Sequence, residues 1–194
     1  MDRDKIVGEA KDYVRALFAR NADGHDPEHT LRVYDLAMRL AAEEPGCDRF
    51  VTALAALLHD ADDRKLFQTE NNANARAFMA SRGVDAETAE RVLLAVNAVS
   101  FSRNRGRLPP TAEGRIVRDA DRLDAMGAVG IARTFAFGGR AGRPLRSSVE
   151  HFHDKLLLLR EELLTDAARR MGAERHEYME EFLRTLEEET SGQY

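Results

Sequence analysis

Apolar residues return every third or fourth position along most of the chain, the spacing of one buried face on an α-helix. Ile6, Val14, Leu17 and Phe18 predict a first helix from about Asp4 to Arg20. NADGHD reads as a loop, and Asp26-Pro27 as an N-cap followed by proline at the first helical position. Leu31, Val33, Tyr34, Ala37, Met38 and Leu40 then carry an apolar face to about Glu44. The pattern changes in RFVTALAALLHD, residues 49–60, which follows Asp48 as its cap and is apolar nearly all round. No face of such a helix prefers water, so it is expected at the centre of a core. Helices over about 69–82 and 86–101 follow, separated by RGVD. NRGRLPPT is a loop, and Thr111 is placed to cap a helix through AEGRIVRDADRLDAM. FGGRAGRPLRS reads as another loop. Ser147 with Glu150 fits a capping box opening a long helix through HFHDKLLLLREELLT, and a last helix covers about 173–189. No hairpin signal and no internal repeat interrupts this pattern. The expectation is an all-α helical bundle.

Composition narrows the class. The chain has 194 residues, 43% hydrophobic and 32% charged, as expected of one globular domain. A net charge of −5 gives no general attraction to nucleic acid or membrane, and neither partner is expected. MDRDKIVGEA lacks the apolar core of a signal peptide. Cys47 is the only cysteine, which excludes an intramolecular disulfide and a cysteine-built metal site, and the cytoplasm is the expected compartment. The charge is uneven: Ser102–Arg146 holds ten arginines against four acids, a net of +6, so the remainder sums to −11. A basic segment in an acidic protein suits an anionic ligand as well as it suits ordinary surface ion pairs. A homo-oligomer is compatible with the sequence and not required by it.

The oily run LAALLHDADDRKLF ends abruptly in His59-Asp60, with Asp62, Asp63, Arg64 and Lys65 at once behind. Either this is a helix end with a solvated charge run, or a buried helix delivers two ligands to a site. His29 lies near the start of an earlier helix, and Asp121 lies in RDADRLDAMG beside the apolar Ile116, Val117, Ala120 and Leu123. Nitrogen and oxygen donors on three helices suit one divalent ion such as Mn, Fe, Co, Ni or Zn, with Mg less favoured by nitrogen. Two carboxylates would neutralise its charge. Singly, each residue is better explained by capping, a surface position or a plain salt bridge.

Taken in order, His29, His59-Asp60 and Asp121 resemble the H…HD…D pattern of the HD-domain metal-dependent phosphohydrolases. GHDPEHTLRV is similar to the first-histidine helix of small bacterial members, and LAALLHDADD to their second motif. SFS followed by DADRLDAMGAVGIARTFAFGG resembles their third, and HFHDKLLLLREELLT with RHEYMEEFL their C-terminal helices. The one departure is the proline of GHDPEH, where the family pattern has an aromatic. The resemblance implies a single HD domain with a core of about 20–130 and a C-terminal helical extension of about 147–190. It implies His29, His59, Asp60 and Asp121 as ligands of one divalent ion, Mn favoured over Mg, Co, Ni or Fe. It further implies hydrolysis of phosphate esters or anhydrides, with nucleotides, chiefly nucleoside triphosphates, as substrates. Phosphomonoesterase, 5′-nucleotidase or phosphodiesterase chemistry on the same site is the alternative, and a binding module with little turnover is another. Dinuclear members place extra histidines between the HD pair and the last aspartate; none occurs between His59 and Asp121, which favours one metal.

For water activation Asp63, one turn beyond Asp60, is the first candidate and Asp60 itself the second. Lys65 and Arg122 lead the candidates for phosphate charge, with His25, Arg32, Arg103, Arg143 and Lys155 behind them. His151 and His153 are two apart on a predicted helix, so they point about 200° apart and cannot both serve one ion.

Overall fold

The computed structural model describes residues 2–19, 26–64, 66–100, 104, 107–190 and 192. Every regular element among them is helical. The chain falls into two compact units, residues 1–120 and 121–194, and the division lies inside one continuous helix.

The first unit holds α1 (Arg3–Leu17), α2 (Pro27–Glu43), α3 (Arg49–Leu58), α4 (Ala73–Ser81), α5 (Ala86–Asn97) and most of α6 (Ala112–Asp124). The all-round apolar helix is central, as its pattern requires. Every residue of α3 from Phe50 to Leu58 is buried, and α1, α2 and α5 all pack on it. Each buried leucine there contributes roughly 1.5–3 kcal/mol of transfer free energy. Asp48 starts α3 by accepting the amides of Phe50 at 3.0 Å and Val51 at 3.3 Å. Glu113, buried at the start of α6, accepts the Asp48 amide at 2.9 Å and ties the two helix starts together. Thr111 caps α6 through the Gly114 amide at 3.0 Å. Thr111→Ala should cost about 1 kcal/mol, read as a lower denaturant midpoint at unchanged slope.

The second unit continues from Asp121 through α7 (Gly127–Arg140), α8 (Leu145–His151), a π-helical turn (Phe152–Leu156), a 3₁₀ segment (Leu157–Glu162) and α9 (Asp166–Glu189). Phe135, Phe152 and Phe182 form its aromatic cluster, with ring centroids 5.6 to 6.4 Å apart. The backbone of α9 comes close at Gly172, where an added Cβ would collide with the Leu163 side chain.

Several predicted boundaries are corrected. Residues 137–140 of the expected FGGRAGRPLRS loop belong to α7, because Gly138 is buried as a packing position against Ser148. Ser147 is no cap: α8 already starts at Leu145, after Pro144 with its φ of −59°. The expected long helix through residue 165 is instead α8, a π turn and a 3₁₀ segment, and Leu163 turns extended. Thr165 then caps α9 by accepting the Ala168 amide at 3.3 Å, so that helix begins at Asp166 rather than near residue 173. The expected helix over 69–82 begins only at Ala73, since Asn71 and Asn72 take left-handed backbone angles. Among the described residues no helix is long and apolar enough to cross a membrane.

Candidate metal centre

Local helix chemistry places each donor. Asp26 caps α2 by accepting the His29 amide at 2.6 Å, with Pro27 fixing the first turn. His29 is thereby held on the first turn of α2, and it is 3% exposed. α3 stops at Leu58, and His59 forms its C-cap. His59 Nδ1 lies 2.8 Å from the Ala56 carbonyl. A carbonyl only accepts, so Nδ1 carries the proton and the lone pair resides on Nε2. This carbonyl–imidazole arrangement orients a metal-binding histidine.

The two imidazoles meet edge to face, with centroids 5.3 Å apart. Asp60 Oδ2 lies 3.5 Å from His29 Nε2 and 3.3 Å from His59 Nε2, so both ring nitrogens converge on one carboxylate. Asp121, the next residue of α6 after Ala120, completes the set. One ligand atom each from His29, His59 and Asp121 lies within 4.8 Å of the others. Donors about 2.0–2.2 Å from one ion are at most about 4.4 Å apart, so a small adjustment brings the three onto a single divalent cation. Two imidazoles with carboxylates suit a borderline transition ion better than calcium. The residues present therefore fit the group.

Further residues hold the segments that carry these donors or follow them. Arg122 is 3% exposed; its Nη1 donates to Asp121 Oδ2 at 2.9 Å and its Nε to Glu162 Oε2 at 3.3 Å. Arg133 pairs with the buried Asp124 and also donates to its carbonyl. Asp62 accepts the Asn74 and Ala75 amides at 2.9 and 3.0 Å, and so supplies the N-terminal cap that Asn72 does not give α4. Asp63 is half-buried in the turn after His59, and its amide donates to the Asp60 carbonyl at 3.0 Å.

The remaining predicted substrate residues divide sharply. His25, Lys65 and Arg103 lie outside the described residues. Arg32 sits one turn along α2 from His29, 3.9 Å from Glu28. Arg143 is exposed after α7 with its guanidinium 5.0 Å from the Phe137 ring, and Lys155 is half-buried on the π turn. His151 is half-buried at the end of α8 and His153 is exposed. Burial, then Lys155 and Arg143, hold the His151 imidazole below its ordinary pKa against the smaller opposing pull of Asp154. A ring-proton NMR titration should place His151 below the usual 6.5, and Lys155→Met should raise it by removing a like charge.

Sequence reasoning missed Glu162 and the Ala56 carbonyl. Glu162 is 40 residues from Arg122, and no local spacing signals that pair. The Ala56 carbonyl lies three residues before His59, where the end of any helix leaves carbonyls unclaimed.

An all-helical fold in which buried His29, the buried side chain of His59 and Asp121 come within reach of one ion has the donor set of an HD-type metal centre. The HD domain profile matches residues 28–126, and the chain belongs to that family. YpgQ of Bacillus subtilis is 40% identical over 97% of this chain and 95% of its own. The crystal structure of Bacillus subtilis YpgQ in complex with ADP matches at a TM-score of 0.82 and 35% identity, covering 97% of each chain. An HD-superfamily hydrolase from Bacillus thuringiensis matches at a TM-score of 0.80 and 36% identity, over 98% of this chain and all of that one.

Proposed function

We propose that this chain is a metal-dependent phosphohydrolase of nucleotides, with nucleoside triphosphates as the first substrate class. The observation carrying this reading is the convergence of His29, His59 and Asp121 within 4.8 Å, with Asp60 against both imidazoles. The ADP complex of the Bacillus subtilis relative supports a nucleotide rather than another phosphate ester.

His29, His59, Asp60 and Asp121 would hold one divalent ion, with manganese favoured. The chemistry that such an ion supplies is Lewis acidity toward water and a phosphoryl oxygen. Asp63 stands in the turn beyond the ligands and takes the proton of the attacking water, with Asp60 as the alternative acceptor. Lys65, His25, Arg32, Arg103, Arg143 and Lys155 are the candidates to meet the phosphate charge that the attack develops. The buried guanidinium of Arg122 is committed to Asp121 and Glu162, which suits positioning better than contact with substrate. We also propose that the chain acts as a single cytoplasmic HD domain, with a core of about 20–130 and an extension of about 147–190, without nucleic acid or membrane partners.

The test is release of phosphate and pyrophosphate from a nucleotide panel, with Mn, Mg, Co and Ni side by side. Pyrophosphate from triphosphates supports the reading. Orthophosphate from monophosphates moves the protein to nucleotidase chemistry, and cleavage of diesters to phosphodiesterase chemistry. No turnover by metal-replete protein overturns the enzymatic reading in favour of a binding module.

A further inference from the structure

We infer that Arg122 and Glu162 form a positioning relay that orients the Asp121 carboxylate for the metal centre and makes metal affinity depend on the 3₁₀ segment Leu157–Glu162. This inference rests on the metal-centre reading above and goes beyond its ligand set.

Arg122 is 3% exposed, too deep for a long cationic side chain unless it is paired. Two of its bonds run in opposite directions along the chain. Nη1 takes Asp121 Oδ2 at 2.9 Å, one residue back, and Nε takes Glu162 Oε2 at 3.3 Å, 40 residues ahead. The guanidinium is planar and rigid, so fixing one edge on Glu162 fixes the other on Asp121. Glu162 closes the 3₁₀ segment, directly before the chain turns extended at Leu163. Leu163 in turn is buried over the close backbone approach of Gly172. The carboxylate of Asp121 is therefore oriented from outside its own helix. The Arg122 guanidinium on Oδ2 holds that carboxylate in the orientation in which it would join the centre.

A buried cation beside a ligand also repels an incoming cation, so charge and positioning predict opposite signs. If Arg122 acted only as a charge, removing it would tighten metal binding. If it positions Asp121, removal weakens binding, by about 10- to 100-fold for a ligand-orienting partner.

The experiment is Mn²⁺ binding by electron paramagnetic resonance, with circular dichroism and a thermal melt on each protein. Wild type, Arg122→Gln, Glu162→Gln, the double variant and His59→Ala are compared. One tight Mn²⁺ in wild type and none in His59→Ala supports the metal centre itself; without that difference the underlying reading fails, whatever the relay variants do. Given that difference, weaker binding in both single variants, with the double no weaker than Arg122→Gln, supports the relay. Unchanged or tighter binding in folded Arg122→Gln overturns it. Should Arg122→Gln fail to fold, Glu162→Gln decides: its acid is one-quarter exposed and pairs with Arg122. A severalfold loss of affinity in folded Glu162→Gln supports the relay, and unchanged affinity overturns it.

Discussion

Asp60→Ala should bind no stoichiometric divalent metal and lose at least about a thousandfold in hydrolysis, roughly 4 kcal/mol of barrier. The reason is geometric. Oδ2 of Asp60 faces Nε2 of both His29 and His59, at 3.5 and 3.3 Å, so its removal takes away a carboxylate that both imidazoles share. It also removes one of the two negative charges that offset a divalent ion, which makes a buried cation costly. The fold should survive. Asp60 lies in the turn after α3 and touches solvent at 9%, so the core residues from Phe50 to Leu58 lose nothing. A thermal melt separates the two effects. At about 100 times the dissociation constant a ligand stabilises by about 2.7 kcal/mol, about 5–11 °C for a chain of this size. Wild type should gain that shift with Mn²⁺, and Asp60→Ala should gain none. An active, metal-replete Asp60→Ala protein would remove the central claim.

Which parts of this molecule are legible in its sequence follows from the range of the forces involved. α3 is legible because its apolar residues cover every face, and only a central position buries them all. The caps Asp26, Asp48 and Thr111 are legible because an N-cap acts over two or three residues. α7 was hidden by the same logic. Gly138 and Gly139 lie in the stretch FGGRAGRPLRS that reads locally as a loop, but Gly138 is a buried position where another part of the chain comes close. The break after α8 is a second case: Phe152, Leu156, Leu159 and Leu163 keep helical spacing and are all buried, although the backbone between them leaves the α geometry.

The candidate centre divides in the same way. His29, His59-Asp60 and Asp121 stand out as residue types at motif spacing, and the structure brings His29, His59 and Asp121 to one place. What orients them is not visible in that spacing. The Asp121–Arg122–Glu162 chain depends on where a 3₁₀ segment ends, and the apolar spacing there reads as an uninterrupted helix. Asp62, one of three acids read together after His59, proves to cap α4 with both its oxygens. Residue type alone does not distinguish it from Asp63.

Gly130→Ala should destabilise the protein by about 2–3 kcal/mol, lowering the melting temperature by about 4–12 °C. The sign is the informative part, because glycine to alanine inside a helix ordinarily stabilises by roughly 1 kcal/mol. Gly130 is buried in the first turn of α7, and a Cβ built there would drive into the Ala125 carbonyl oxygen. That neighbour is backbone, so it cannot rotate away as a side chain would. Gly139 in the same helix is the control: a Cβ there meets nothing within 4 Å, so Gly139→Ala should be neutral or stabilising. The difference also bears on the metal centre. Ala125 follows the last residue of α6, four positions after Asp121, and Gly127 at φ +66° makes the sharp restart into α7 with Arg175 packed against it. Pushing the Ala125 carbonyl shifts the end of the helix that carries Asp121. Gly130→Ala should therefore also weaken Mn²⁺ binding, and Gly139→Ala should leave it unchanged. Equal stability and equal metal affinity in the two variants would show that the α6–α7 junction does not set the position of Asp121.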